Sequence, residues 1–264
     1  MKTRFAILAL LLAAPAFGAE LSDLYVIPAV AHATGATGEL WQSDVSIFNP
    51  HSTPLALDLE LVAPNGTATR LASGTTVAPH ATLFMHDIVG GGGGIGAVIV
   101  SGSHPFAIMS RATATSSRGT FVETVPAAAD FLDATARDSF LTGLTSNASA
   151  RTNIGFFAAA DRGEPMAITI ALFAVDGSPL GRSQTFVVPA GATIQTQLST
   201  RSLTTVSFDS ASARVSITSG SGVATAYASV IANDTGSAAF IAGSTGSMPP
   251  SAAAARLRSH FYLQ

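Results

Sequence analysis

The chain has no cysteine, one lysine (Lys2), one tryptophan (Trp41) and three tyrosines in 264 residues, and only 11% of its side chains are charged. Each shortage closes something off. Without cysteine there is no disulfide framework, thiolate metal site, thiol nucleophile or lipid-bearing cysteine, so stability must come from an ordinary apolar core. Past Lys2 no amine side chain exists for covalent catalysis. Beyond residue 19, eleven arginines face 16 acidic side chains, a balance near −5. No basic cluster stands out against it, which argues against nucleic acid or an anionic membrane as partner. After the N-terminal segment no apolar run reaches the roughly 18 residues a membrane helix needs, so no membrane span is expected.

What is present starts with Met1-Lys2-Thr3-Arg4, an apolar stretch from Phe5 to Ala14, and small residues up to Ala19. A short basic region, a short apolar core and a small-residue end describe a signal peptide over 1–19, with cleavage after Ala19. The expected location is therefore secreted, periplasmic or extracellular. The remainder divides into halves of ordinary domain size.

Those halves resemble each other. Ser43-Asp44-Val45-Ser46-Ile47-Phe48 overlays Thr152-Asn153-Ile154-Gly155-Phe156-Phe157 at a shift of 109. Leu57-Asp58-Leu59-Glu60-Leu61 overlays Ile168-Thr169-Ile170-Ala171-Leu172 at 111, and Pro64-Asn65-Gly66 falls on Val175-Asp176-Gly177. At the same shift Val77–Leu83 meets Val188–Ile194, and at 116 Phe106–Arg111 meets Gly222–Tyr227. Four blocks in order, drifting only in the loops between, predict a duplicated unit.

The unit reads as β-structure. Leu55, Leu57, Leu59 and Leu61 alternate with Ala56, Asp58 and Glu60, giving one dry and one wet face. Asn65-Gly66 and Asp176-Gly177 are hairpin signals, read as type I′ turns. In the first copy strands are expected near 24–30, 41–48, 55–62, 68–77, 82–88, 96–101, 106–114 and 119–125. The expected fold is all-β: two tandem antiparallel β-sandwich, immunoglobulin-like domains over 20–126 and 139–246, a linker over 127–138 with a helical turn in its Ala-rich part, and a tail over 247–264.

With Ile27-Pro28-Ala29-Val30-Ala31-His32, Trp41-Gln42-Ser43-Asp44-Val45, Arg151-Thr152-Asn153-Ile154-Gly155 and Tyr227–Asn233, the chain resembles secreted bacterial proteins built of tandem immunoglobulin-like modules. The resemblance covers most of the chain beyond residue 19. It implies export and fold, and carries over no functional residues.

Few groupings could carry chemistry. Gly91-Gly92-Gly93-Gly94-Ile95-Gly96 satisfies a dinucleotide fingerprint only on paper, because a strand pattern, Ala97–Val100, follows where a helix should start. Five of six histidines (His32, His51, His80, His86, His104) lie in the first copy. His80, His86 and Asp87 are the candidate metal ligands, although no tight ligand spacing joins them. Ser244 in Gly243-Ser244-Thr245-Gly246 lacks any acid after it. Asp58 and Glu60 read as a solvated strand face, while the pairs Asp130/Asp133 and Asp161/Glu164 lack the density of a calcium loop. Asp44 and Asn153, equivalent at the 109 shift, suggest a shared loop-bonding role. Trp41 reads as core rather than a sugar platform.

No catalytic residue and no cofactor are assigned. The leading expectation is a non-catalytic binding or structural module whose partner is a protein or surface glycan, met through loops or an unpaired strand edge. The alternatives are a metal-binding protein or metal-dependent hydrolase using the first-copy histidines, and a self-associating envelope or matrix subunit. Oligomeric state is open.

Overall fold

A computed structural model describes residues 21–36, 38–245 and 257–258. The expected signal segment and most of the expected tail lie outside the described residues. Within them the chain is all-β and antiparallel.

The first seven strands are β1 (Ser22–Thr34), β2 (Leu40–Phe48), β3 (Leu55–Val62), β4 (Ala68–Val77), β5 (Thr82–Met85), β6 (Gly94–Ser116) and β7 (Gly119–Val125). They form a single sheet, ordered β4-β3-β6-β1-β2-β5, with β7 on β6 and a further β6–β2 pairing. The expected strands at 96–101 and 106–114 are thus one. The first part of β6 pairs with β3 and β1, and the part beyond Phe106 with β2 and β7. Between them lies Gly102, where a Cβ would come within 2.7 Å of the Phe106 ring. Because β6 crosses over without a break, and β1 also turns from β6 onto β2, the sheet curls into a half-barrel. Its concave side encloses Tyr25, Ile27, Val45, Ile47, Leu57 and Phe106.

The later strands are β8 (Asp138–Ser146), β9 (Ala150–Ala160), β10 (Met166–Phe173), β11 (Gln184–Val188), β12 (Thr193–Ser199), β13 (Phe208–Ser219), β14 (Gly222–Ala232), β15 (Ala238–Ala242) and β16 (Ser244–Thr245). They make two sheets, β11-β10-β13-β8-β16 and β12-β9-β14-β15. Most pairings follow those of the first half, but β1–β2 has no counterpart between β8 and β9, β16–β8 has none in the first half, and a break at Gly220 and Ser221 separates β13 from β14 where β6 is continuous. A second core, centred on Ile154, Phe156, Ile168, Ile170 and Val215, lies between these sheets.

The register corrects one overlay. Val45 pairs with Met85 and Ser110, and its counterpart by strand partners is Phe156, paired with Thr196 and Ala226. This is the 111 shift seen elsewhere, so Gly155, rather than Asn153, takes the place of Asp44. A two-residue slip keeps every side chain on its own face, so alternation alone does not detect it.

The hairpin turns also differ from expectation. Gly66 and Gly177 have φ of +82°, but neither Asn65 nor Asp176 has positive φ, which excludes type I′. Gly66 N–H bonds to Ala63 O and Ala63 N–H to Thr67 O, with the same pattern at Ala174, Gly177 and Ser178. This is a type I turn followed by a left-handed glycine. Pro64 enforces it by locking its own φ negative.

The 127–138 segment contains no helical turn. Val26 and Ala128 exchange both backbone hydrogen bonds (2.9 and 2.7 Å), and Leu132 and Ala224 do the same (2.7 and 3.0 Å). The linker is therefore extended and fastened to each half in turn. Asp133 Oδ1 accepts from the N–H groups of Thr135 and Ala136 and the Thr135 hydroxyl, which makes it a turn-former.

The linker runs along a third apolar cluster. Leu24, Val26 and Ile99, on the convex side of the curled sheet, meet Phe157, Ala159 and Val223 from the outer face of β12-β9-β14-β15, with Phe131 and Leu257 filling between. Arg258, beside Leu257, ion-pairs with Asp23. Burial of this order, roughly 1.5–3 kcal/mol per large apolar side chain, joins the halves. Phe131 is 1% exposed. Phe131→Ala is expected to lower stability by about 3–5 kcal/mol in equilibrium urea unfolding, whereas a loss below about 1 kcal/mol would show that the seam contributes little.

Candidate functional site

A curled sheet that does not close leaves a mouth. Here the mouth lies beside the end of β1 and the start of β2, and the outer face of β12-β9-β14-β15 covers it. Between them is a cavity of about 370 Å³. The first half contributes the Ala29–Ala33 stretch, Trp41, Ala112 and Glu123, and the second half contributes Asn153, Gln195, Gln197, Tyr227 and Phe240.

Period-2 alternation puts Glu123 there. On β7, Glu123 lies opposite Ala112, and Val125 lies opposite Ser110. Val125 and Ala112 belong to the first core, so Glu123 shares their inward phase and places a carboxyl group where the pattern calls for an apolar side chain. Its Oε2 is buried without a hydrogen-bond partner. Burial pushes its pKa up to about 7.

Glu39 is handled differently. It is 1% exposed, and its Oε1 accepts from Trp41 Nε1 (3.1 Å) and from Arg151 Nη2 across the junction (3.5 Å). Arg151 also donates through Nη1 to Asn233 Oδ1 at 3.2 Å. Gly35 makes the pocket for this carboxylate, since a Cβ there would lie 2.3 Å from Glu39 Oε1.

The opposite wall is built on a glycine. Gly155 has no side chain, and the Tyr227 ring lies over it so closely that a Cβ would be 2.4 Å from Cζ. Phe240 stacks on the same ring, 5.3 Å between centroids and 10° between planes. Gln195 Nε2 donates to the Tyr227 hydroxyl (2.6 Å), which donates to Gln197 Oε1 (3.4 Å). Burial pushes the phenol well above its usual pKa, with the Gln195 hydrogen bond acting in the other direction, so it stays neutral. Gln195 is only 2% exposed, yet its Oε1 has no partner.

Of the residues singled out earlier, Trp41, Ile95, Gly96 and Asn153 line the cavity, while the histidines, Asp44, Asp58, Glu60 and Ser244 lie elsewhere. His80 sits in the turn before β5 and His86 just past its end, so the strand holds them roughly 15 Å apart or more. His86 Nδ1 lies 2.7 Å from Asp44 Oδ1, and His32 Nδ1 lies 2.7 Å from Asp87 Oδ2. Asp44 Oδ1 also accepts the Asp87 N–H (3.0 Å), holding a bend in which Asp87 has φ of +46°. His51 and His104 pack edge to face, 4.5 Å between centroids. Among the described residues no group of three or more His, Asp or Glu side chains could hold a metal ion. Asp58 accepts the Gly74 N–H, and Glu60 faces Arg70 on the outer side of the sheet. Ser244 lies in β16 against β8, and the glycine run feeds straight into β6. Trp41 is both core and cavity wall.

Composition and motif spacing pass over Glu39, Glu123, Arg151, Gln195 and Tyr227. One local signal exists for Glu123, an acid in the dry phase of Phe121, Glu123 and Val125.

Compared with known proteins, the chain matches no family model, no curated protein and no solved structure.

Glu123 makes stability depend on pH. A carboxyl group whose pKa is raised by folding contributes most below its unfolded value, near 4.5, and the contribution is lost as pH rises through the folded value near 7. The expected loss across that window is about 3 kcal/mol, flattening above it. Glu123→Gln should remove this slope in urea titrations from pH 4.5 to 8, and an unchanged slope would assign it to other groups.

Proposed function

We propose that this is an exported, non-catalytic binding protein made of two copies of an immunoglobulin-like sandwich unit. Its ligand is a small molecule held in the cavity where the second copy closes the mouth of the first. The observation that carries this reading is the cavity itself: about 370 Å³ between two halves, walled mainly by apolar and aromatic side chains. Cavities of this size at domain junctions and barrel mouths are where small ligands bind. The unpaired Gln195 Oε1, 2% exposed, supports it, because a buried polar atom without a partner costs about 1–3 kcal/mol unless something completes it.

Binding rather than catalysis is supported by the lining. Neither histidine nor aspartate is in it, and Glu39 is already engaged by Arg151 and Trp41. The repeated strand pairing and the matching turns at Gly66 and Gly177 support the duplicated unit.

The test is native mass spectrometry of the protein purified from its own cells, beside a Ser229→Trp variant that fills the cavity. The expected result is a bound small molecule on the unmodified protein and none on the variant. The same species on both proteins, or on neither, would overturn the reading. Trp41, the only tryptophan, lines the cavity and supplies a fluorescence readout for any ligand found.

A further inference from the structure

We propose that the cavity is built for a compact organic cation, a protonated amine on an aromatic or aliphatic body, with Glu123 as its counter-charge and Trp41, Tyr227 and Phe240 as its walls. This rests on the binding reading above and names the class of ligand.

The charges around the cavity do not balance. Its charged lining residues are Glu39, Glu123 and Arg151. Arg151 is committed to Glu39 and to Asn233, so the cation in the wall is already matched. Glu123 lies opposite Ala112 of β6 and shares the cavity lining with Ala29, Ala31, Gln195, Tyr227 and Phe240 and with the Glu39–Arg151 pair. Of these, Tyr227 stays neutral and Glu39 is held by Arg151. Glu123 is therefore the one carboxyl group at the cavity with no cation of its own among the described residues, and Oε2 has no hydrogen bond at all.

Donor and acceptor counts agree with charge. The two unpaired side-chain atoms at the cavity, Glu123 Oε2 and Gln195 Oε1, are both acceptors. An ammonium group is all donor, with three N–H bonds and no acceptor to leave unmet. A carboxylate ligand would add acceptors to acceptors and meet the charge of Glu123. A neutral alcohol supplies one donor and leaves the carboxyl unpaired or protonated. The rings supply the rest, because aromatic faces attract cations.

Linkage gives a signature that a merely shape-filling ligand lacks. The free carboxyl titrates near 7, and an amine with pKa near 10 stays charged throughout, so binding requires Glu123 to lose its proton. Affinity should rise about tenfold from pH 6 to pH 8, with roughly one proton released per ligand at pH 6.

The experiment is isothermal titration at pH 6 and pH 8 with three probes sharing one ring: tyramine, 4-(2-hydroxyethyl)phenol and 4-hydroxyphenylacetate. Each is run against the full protein and Glu123→Gln, with circular dichroism confirming that the variant folds. The expected result is that tyramine binds at least tenfold more tightly than the alcohol, the acid does not bind, and the pH dependence disappears in Glu123→Gln. If the alcohol or the acid binds as tightly as tyramine, the cation assignment is overturned while the cavity remains a binding site. If none of the three binds or shifts Trp41 emission, the assignment is overturned as well. The mass spectrometry above then decides separately whether the cavity holds anything.

Discussion

The dry seam between the two halves is what the rest of the molecule depends on. Leu24, Val26 and Ile99 on one side and Phe157, Ala159 and Val223 on the other are wholly or nearly buried, with Phe131 of the linker between them. Two pairs of backbone hydrogen bonds, at Val26–Ala128 and Leu132–Ala224, fix the linker to both sides. A linker free to swing would leave the mouth of the curled sheet open to solvent, with Trp41 and Glu123 on a wet rim. Held by the seam, the outer face of β12-β9-β14-β15 becomes a lid, and the Glu39–Arg151 ion pair closes over the junction.

At the lid face the two halves differ. By strand register, Tyr227 opposite Gly155 in the second half stands where Arg111 opposite Asp44 stands in the first. In the first half that face is open, and the pair is charged. In the second it faces the partner half, and the charges are replaced by a ring lying over a glycine, extended by Phe240. Asp44 has found another use, holding the bend after β5 and pairing with His86. This difference lies where one half covers the other, and that is also where the cavity lies.

Much of the fold could be read in the residues. The alternation from Leu55 to Leu61, the positions of Gly66 and Gly177, and the shift of 111 between Val77–Leu83 and Val188–Ile194 depend on neighbours along the chain. Features set by distant contacts were less legible. The register of β9 slipped by two because such a slip changes no residue's face. The unity of β6 was hidden because Gly102 and Pro105 fall between its two apolar stretches, and such residues commonly mark a turn. His80 and His86 are near in sequence but flank β5, and spacing along the chain does not reveal that separation. The cavity was invisible because its walls come from residues as far apart as Ala29 and Phe240, and only Glu123, an acid in a dry phase, betrayed it locally.

If the junction is completed by a ligand, that ligand travels with the protein. A crystal structure of the protein purified from its own cells, without added small molecules, tests it most directly. The expected result is density for a small molecule between Trp41 and the Tyr227–Phe240 stack, with a donor atom within hydrogen-bond distance of the Glu123 carboxyl group. A collapsed cavity, or one holding only water with both Glu123 and Gln195 satisfied by protein atoms, would contradict it.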